Sequence, residues 1–289
     1  MTDPMGAHAS ESITVQRITP KIGAEISGVS LANLSPAALG QIRAAFDRHR
    51  VLVFRDQILD REAHKAMVRH FGTLQTHPAK TELGLPGDPE IFDVRIGPDT
   101  RVANGESWHT DLSCEPVPPS ASALYITETP PSGGGDTLFA NMTGAFESLS
   151  APLRNMLVGL KARHSGEQDL RAYGVRLRPG QSYPSATHPV VIRHPRTGNP
   201  VLYVNEAFTE SIEGLSRRES DAVLQLLFRH VESDTRSHCR VRWTPGTLVL
   251  WDNLAVHHHA VWDYYPERRT GERVTAKSDA APQAWSPPG

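Results

Sequence analysis

Apolar positions along this chain fall into short runs broken by turn residues, and helical spacing surfaces at only a few places. ITVQRITPKIGAEISGVSL (13–31) predicts short strands joined by turns. Ser35-Pro36 predicts a helix start, serine as N-cap and proline in the first turn, with Leu39, Ile42 and Phe46 following at helical spacing. VLVF (51–54) is the continuous apolar run of a buried strand. Asp60 caps a second helix that runs through His70 and stops near Gly72. SASALYITET (120–129) predicts a strand, and PPSGGGDT (130–137) a turn-rich loop. Ser150 caps a third helix, with Pro152 in its first turn and Leu153, Leu157 and Leu160 on one side. HPVVIRHPRTGNPVLYV (188–204) predicts a hairpin around PRTGNP. Ser216 and Glu219 form a capping box for a helix carrying Val223, Leu226 and Leu227. CRVRWTPGTLVLWDN (239–253) predicts a second hairpin turning at Pro245-Gly246. Strands with a few covering helices predict a mainly β fold, one sandwich or barrel, rather than alternating βαβ units.

Composition narrows this picture. The 289 residues contain neither an internal repeat nor a linker that splits them, so residues 13–278 are expected to form a single domain. The polar stretch 1–12 reads as a disordered leader and 279–289 as a flexible tail. The 23 prolines and 22 glycines are scattered, which suits a loop-rich β protein. A formal net charge of −2 argues against a nucleic-acid or anionic-membrane partner, which demands a basic excess. No apolar run approaches the roughly 20 residues of a membrane helix, and no apolar signal core opens the chain. Two cysteines, Cys114 and Cys239, cannot build a disulfide framework, and the simplest expectation is a reduced, cytoplasmic protein.

The chemistry begins in WHTDLS (108–113). If that segment is extended, His109 and Asp111 point to the same face and can grip one ion together. Two protein ligands are too few for a catalytic transition metal, and a second histidine would complete the two-histidine, one-carboxylate facial triad of non-haem Fe(II) oxygenases. WDNLAVHHHAVWDYYPERRTGER (251–273) offers three candidates. Strand alternation puts His257 and His259 on one face and His258 on the other, and does not by itself say which face is the inner one.

With WHTDLS, GGGDTLF (133–139), HPVVIRHPRTGNPVLYVNEAF (188–208) and 251–273 in this order, the chain resembles the taurine dioxygenase and 2,4-dichlorophenoxyacetate dioxygenase family of Fe(II)/2-oxoglutarate enzymes. IGAEISGVSL (22–31) and FRDQILDREAHKAMVRHFG (54–72) fit as well, so the likeness covers roughly 13–278. The resemblance implies a double-stranded β-helix core, jelly-roll and cupin-like. In the family the ligand histidine follows Trp-Asp-Asn after four residues, which selects His258 here, with Asp263-Tyr264 at the matching distance beyond. The implied metal ligands are His109, Asp111 and His258. Arg269, eleven residues past His258, matches the arginine that anchors the distal carboxylate of 2-oxoglutarate, and Thr137 matches the hydroxyl beside it. An arginine fork suits a carboxylate because it makes two parallel charge-assisted hydrogen bonds. Arg268 is expected to be solvated, and the glycines 133–135 to make a tight turn rather than a phosphate loop. The implied cofactors are Fe(2+), 2-oxoglutarate and O2. The implied reaction oxidises a substrate C–H bond while 2-oxoglutarate becomes succinate and CO2. Asp111 favours hydroxylation over halogenation, because the related halogenases lack that carboxylate.

The resemblance also bears on substrate. His77 and Arg273 match positions that contact the sulfonate in the taurine enzyme, which implies a small anion: a sulfonate, a sulfate ester or a carboxylate such as an aryloxyalkanoate. Four residues before His109, where the taurine enzyme has a substrate-contacting asparagine, stands Gly105, with Asn104 next to it. Taurine itself therefore fits poorly. Phe208 and Tyr203 can furnish apolar walls. Residues 164–187 have little periodicity and are expected to form a lid, with Arg171, Arg176 and Arg178 meeting an anionic substrate or solvent. A homo-oligomer, dimer or tetramer, follows from analogy alone. The competing readings are a non-catalytic cupin-like metal-binding protein and a metal hydrolase on the same ligand set. Arg269 and Thr137 discriminate against the first, since a mere metal binder needs no cosubstrate anchor, and the second would need a general base near the metal, which does not stand out beside these motifs.

Overall fold

The structure, a computed structural model, describes residues 12–76, 86–101, 105–172, 176–177 and 180–287. Residues 1–11 of the expected leader lie outside this range. VLVF shows how the layers are built. It forms strand β3 (Val51–Phe54), which follows β1 (Thr14–Arg17) and β2 (Ala24–Ser27) and joins a seven-stranded sheet in the order β1-β2-β3-β13-β5-β15-β4. The other members are β4 (Ile91–Ile96), β5 (Pro119–Glu128), β13 (Thr247–Asp252) and β15 (Arg269–Lys277).

Both faces of this sheet are covered, which is why its central strands are continuous apolar runs. Leu52 and Phe54 of β3, with Leu248 and Leu250 of β13, pack under α1 (Pro36–His49) and α2 (Arg61–Arg69). Val51, Val53, Val249 and Trp251 point the other way, onto a second sheet. That sheet is β12-β6-β14, formed by β6 (Thr137–Asn141), β12 (His238–Val241) and β14 (Val256–Ala260). Its far side packs on α3 (Met142–Ser148), α4 (Ala151–Leu157) and α6 (Arg217–Ser233). Two further three-stranded sheets flank it. One is β11-β7-β8, from β7 (Lys161–Ser165), β8 (Ser185–Pro189) and β11 (Thr209–Ile212); a short helix α5 (Glu167–Ala172) follows β7. The other is β10-β9-β16, from β9 (Val191–Arg193), β10 (Pro200–Leu202) and β16 (Gln283–Ala284).

The capping residues act as the sequence predicts for three helices. The Ser35 side chain accepts from the Ala38 amide, Asp60 accepts from Ala63 at 2.8 Å, and Ser216 with Glu219 closes the capping box. Ser150 holds the N-cap position of α4 but makes no side-chain cap, while α3, which the spacing did not predict, is capped by Asn141. On α6 the buried face is Ser220, Leu224, Leu227 and Val231, and Leu226 is left 45% exposed.

Two expectations are corrected. Residues 239–253 are not a hairpin: β12 pairs with β6, whereas β13 pairs with β3 and β5. The turn is real, but Gly246 is tied by backbone hydrogen bonds to Ile126 and Gln57, and the chain crosses from one sheet to the other. Turn chemistry marks where a chain bends, and burial of Val241 and Val249 in the layer between the sheets decides what each strand pairs with. The tail is not free either. Gln283–Ala284 adds an edge strand to β9, and Trp285 meets the Phe146 ring edge-on at 5.7 Å, covering apolar surface that would otherwise face water. Among the described residues no helix is long and apolar enough to cross a membrane.

His64 of α2 is buried against the Ala123 carbonyl, at 3.2 Å, and burial pushes its pKa down to about 4. Burial likewise pushes His164 down to about 3, with His188 adding to the effect. Both are depressed, so between the ordinary histidine value and these lower values only the unfolded chain takes up the protons, and stability falls as pH falls. Each histidine is expected to cost about 2 kcal/mol between pH 7 and pH 5. The urea midpoint should drop accordingly, and His64→Gln should remove about 2 kcal/mol of that pH dependence.

Candidate active site

His109, Asp111 and His258 come together between the two large layers. Each offers one ligand atom, and the three atoms lie within 4.8 Å of one another, the arrangement among the described residues that could hold a metal ion. His258 is fixed by β14, where it pairs with Phe139 of β6. His109 is fixed by His258: each donates its backbone N–H to the other's carbonyl, at 3.1 and 2.7 Å, so the segment carrying His109 is a one-residue continuation of the sheet. The His109 Nδ1 donates to the Ser107 carbonyl at 2.7 Å, which leaves the Nε2 lone pair for a metal.

Asp111 is placed by Asn253, at the point where β13 gives way to β14. The Asn253 side chain accepts from the Asp111 amide at 2.9 Å and donates to the Asp111 carbonyl at 3.0 Å and the Pro119 carbonyl at 3.1 Å. The Thr110 hydroxyl closes the bracket by donating to the Asn253 carbonyl. The carboxylate itself accepts from Ser122 of β5 at 2.9 Å and from Arg273 of β15 at 2.5 Å. Burial alone would raise the Asp111 carboxyl, but Arg273, His258 and His109 outweigh it and hold it well below the usual carboxylate range. Burial, reinforced by His109, pushes His258 well below the ordinary histidine value, so it is neutral. An ionised Asp111 and a neutral His258 are the protonation states that metal binding requires of them.

The three-histidine run resolves by alternation. His258 faces the triad. His257 is buried on the other side of β14 beside Trp108, and His259 meets the Trp108 ring at 5.5 Å.

A cavity of about 360 Å³ opens from the triad. Its apolar walls include Phe92, Leu124, Phe139, Leu170, Phe208 and Trp251. Phe208 is thus where the sequence predicts it. Tyr203 instead packs against His164 and His188. Thr137 and Arg269 line the same cavity and are buried. The Arg269 guanidinium lies over the Trp243 ring at 5.3 Å, and Trp243 donates to the Thr137 hydroxyl oxygen at 3.0 Å. That bond leaves the threonine proton free to be donated onward. Arg269 makes no ion pair among the described residues, its Nε has no partner, and burial lowers its pKa, with Tyr264 opposing. A buried cation in this state calls for an anion from outside. Arg268 is exposed, as expected.

The glycine run does more than turn. Gly135 has φ of +71°, its amide donates to Asp263 at 2.8 Å, and a Cβ there would lie 2.9 Å from Arg269 Cδ. Gly271, between Arg269 and Arg273 on β15, is equally constrained, since a Cβ would lie 2.6 Å from the Tyr125 carbonyl oxygen on β5.

Arg273 sits in the same cavity wall. It is ion-paired to Asp111, its guanidinium lies 5.0 Å over Phe92, and its Nε is buried without a partner in the cavity wall. Arg171 is turned to solvent and paired with Glu167 at 2.6 Å. His77, Asn104 and Arg178 lie outside the described residues. Asn253, Ser122, Trp243 and Asp169, which also lines the cavity, were not singled out from sequence. For Asn253 the signal was in view, in the Trp-Asp-Asn that served only to count towards His258.

The family model described as "Taurine catabolism dioxygenase TauD, TfdA family" matches residues 14–275. An alpha-ketoglutarate-dependent sulfonate dioxygenase of Saccharomyces cerevisiae is 37% identical over 284 residues, covering 92% of this chain and 67% of that one. An alpha-ketoglutarate-dependent sulfate ester dioxygenase of Pseudomonas putida is 34% identical over 280 residues, covering 93% and 90%. A solved structure, a taurine dioxygenase from Burkholderia xenovorans, superposes with a TM-score of 0.79 at 36% identity, covering 94% of this chain and 93% of that one.

Replacing Asn253 with Ala strands three buried backbone groups. Stability is expected to fall by about 2–4 kcal/mol, read by chemical denaturation. Divalent-metal affinity should fall about 10- to 100-fold in a calorimetric titration, as for other groups that orient a ligand from behind.

Proposed function

Because the chain belongs to the taurine catabolism dioxygenase TauD, TfdA family, we propose that His109, Asp111 and His258 hold its Fe(II), and that Arg269 with Thr137 anchors the distal carboxylate of 2-oxoglutarate. The protein is an Fe(II)- and 2-oxoglutarate-dependent dioxygenase of small anionic organic substrates. The observation that carries the residue assignment is the buried guanidinium of Arg269, which makes no ion pair among the described residues, in the same cavity as the three converging ligand atoms. A metal-storing protein or a hydrolase has no use for it.

Bound at this site, iron and 2-oxoglutarate supply the oxidising chemistry, with O2 consumed, succinate and CO2 released and a substrate C–H bond hydroxylated. The chain's own residues do the rest. Ser107 holds the His109 ring in one tautomer. Asn253 and Ser122 aim the Asp111 carboxylate, and Arg273 keeps it ionised. Trp243 orients the Thr137 hydroxyl and stacks under Arg269, so a carboxylate arriving there meets donors already in position. Arg273, through the guanidinium edge that Asp111 does not use, takes the anionic group of the substrate, and Phe208 is an apolar wall for its body. A sulfonate, a sulfate ester and a carboxylate all suit that pocket. The facing sheets around the site support a double-stranded β-helix, jelly-roll core. The short helix α5 places Leu170 in the cavity wall, in keeping with a lid over the site.

Anaerobic addition of 2-oxoglutarate to the Fe(II)-loaded protein should produce the visible charge-transfer band of the chelate. His258→Ala should abolish the band, and His257→Ala and His259→Ala should keep it. Loss of the band in His259→Ala alone would move the ligand assignment along the strand. Arg269→Ala should raise the KM for 2-oxoglutarate by at least about tenfold, measured by succinate release, since it removes a charge-assisted pair of hydrogen bonds.

A further inference from the structure

We propose that Tyr264 is a positioning residue for the cosubstrate: its hydroxyl holds the Arg269 guanidinium in the orientation that receives the distal carboxylate of 2-oxoglutarate. The inference rests on the dioxygenase reading and deepens it, adding a residue that acts through Arg269 rather than on the ligand.

Tyr264 is 5% exposed, whereas its neighbour Asp263 lies at the surface. The Asp263 carboxylate accepts from the Gly135 amide at 2.8 Å. Ser132 donates to the Glu267 carboxylate through its amide at 3.1 Å and its hydroxyl at 2.6 Å. The glycine loop is thereby fastened onto residues 263–267. Gly134 and Gly135 have φ of +87° and +71°, a region that other residues resist. A Cβ on Gly134 would lie 2.5 Å from Asp263 Oδ1, and one on Gly135 would lie 3.1 Å from the Tyr264 ring. The loop therefore closes directly over the Tyr264 ring and the Arg269 stem.

Inside this enclosure Arg269 is held from three sides. Gly135 lies against its stem, the Trp243 ring lies under its guanidinium, and one of its N–H groups donates to the Tyr264 hydroxyl. Arginine has donors only, so the Tyr264 oxygen is the acceptor. The three contacts do different things. Packing and a ring face set the plane of a guanidinium but let it turn within that plane, and a directional hydrogen bond fixes the turn. Two parallel bonds to a carboxylate form only when the fork already faces it. A neutral hydroxyl supplies the orientation without spending the charge, whereas a protein carboxylate in its place would compete with the cosubstrate. Burial raises the Tyr264 hydroxyl above its ordinary value, with Arg269 opposing, so the group stays neutral.

Tyr264→Phe removes the hydroxyl and keeps the ring. The Fe(II)-loaded variant and wild type are titrated anaerobically with 2-oxoglutarate and with 2-oxopentanoate. The second compound offers iron the same carboxylate and keto oxygen but ends in a methyl group. The Kd for 2-oxoglutarate, read from the chelate band, should rise by about three- to tenfold in the variant, less than in Arg269→Ala. The Kd for 2-oxopentanoate and the band at saturation should not change. In succinate release the KM for 2-oxoglutarate should rise while kcat at saturation is kept. An unchanged Kd for 2-oxoglutarate overturns the proposal. So does an equal loss of affinity for both oxo acids, since a merely structural residue would loosen the whole site. If Arg269→Ala binds 2-oxoglutarate as the wild type does, the anchor assignment fails and the proposal with it. Absence of the band in the wild type removes the dioxygenase reading itself, and the inference falls with it.

Discussion

The amide of Asn253 is the joint on which the rest of this structure turns. It sits where the seven-stranded sheet hands its chain to the smaller one, and it binds the main chain of Asp111 in both directions. The same side chain reaches Pro119 at the start of β5. One residue thereby ties the end of β13, the beginning of β5 and the loop that brings the carboxylate ligand. Asp252, one position earlier, anchors the joint from below: it is fully buried and accepts from His194 at 2.8 Å and Arg196 at 2.5 Å. Burial alone would raise its carboxyl, but His194 and the neighbouring arginines bring it down to about 2, so it is ionised throughout the working range. Buried polar groups satisfied this fully favour one arrangement over all others.

Much of this architecture is legible in the sequence because it rests on local chemistry. Ser35, Asp60 and the Ser216/Glu219 pair announce their helices because capping is settled within four residues. Strand alternation isolates His258 from its two neighbours, and the spacing shared with a family names it as the inward one. What escaped was nonlocal. The turn at Pro245-Gly246 is visible, but nothing nearby states that its two arms enter different sheets. The partner of Gln283–Ala284 lies some 90 residues upstream in β9, and no periodicity in so short a strand announces it. Asn253, Ser122 and Trp243 act through contacts across 142, 11 and 106 residues of chain, a range over which residue type alone carries no signal. Asp169 escaped for a different reason, since a lone acidic residue in an irregular stretch reads as solvated until the cavity is seen around it.

The charged groups are arranged so that few of them compete. The Asp111 carboxylate accepts from Ser122 and Arg273 with both histidines close by, and that crowding keeps it anionic. Arg269 makes no ion pair among the described residues and is set against the Trp243 ring. A guanidinium there loses solvation without gaining a fixed counterion, and the deficit becomes binding energy for whichever carboxylate arrives. A buried guanidinium is thereby built into the cavity wall, while α5 contributes Asp169 and Leu170 to the same wall.

Strand β15 carries both Arg269 and Arg273, separated by a glycine pressed against the Tyr125 carbonyl. Four residues of paired strand make a ruler of fixed length, with one cavity-lining guanidinium at each end. The interval between the two cannot be stretched by side-chain drift, because β4 and β5 clamp the strand from both edges. Diversification of substrates on this scaffold is thus confined to the surfaces that face the ruler rather than to the ruler itself. The facing walls can be rewritten residue by residue while the spacing between the two guanidinium groups stays constant.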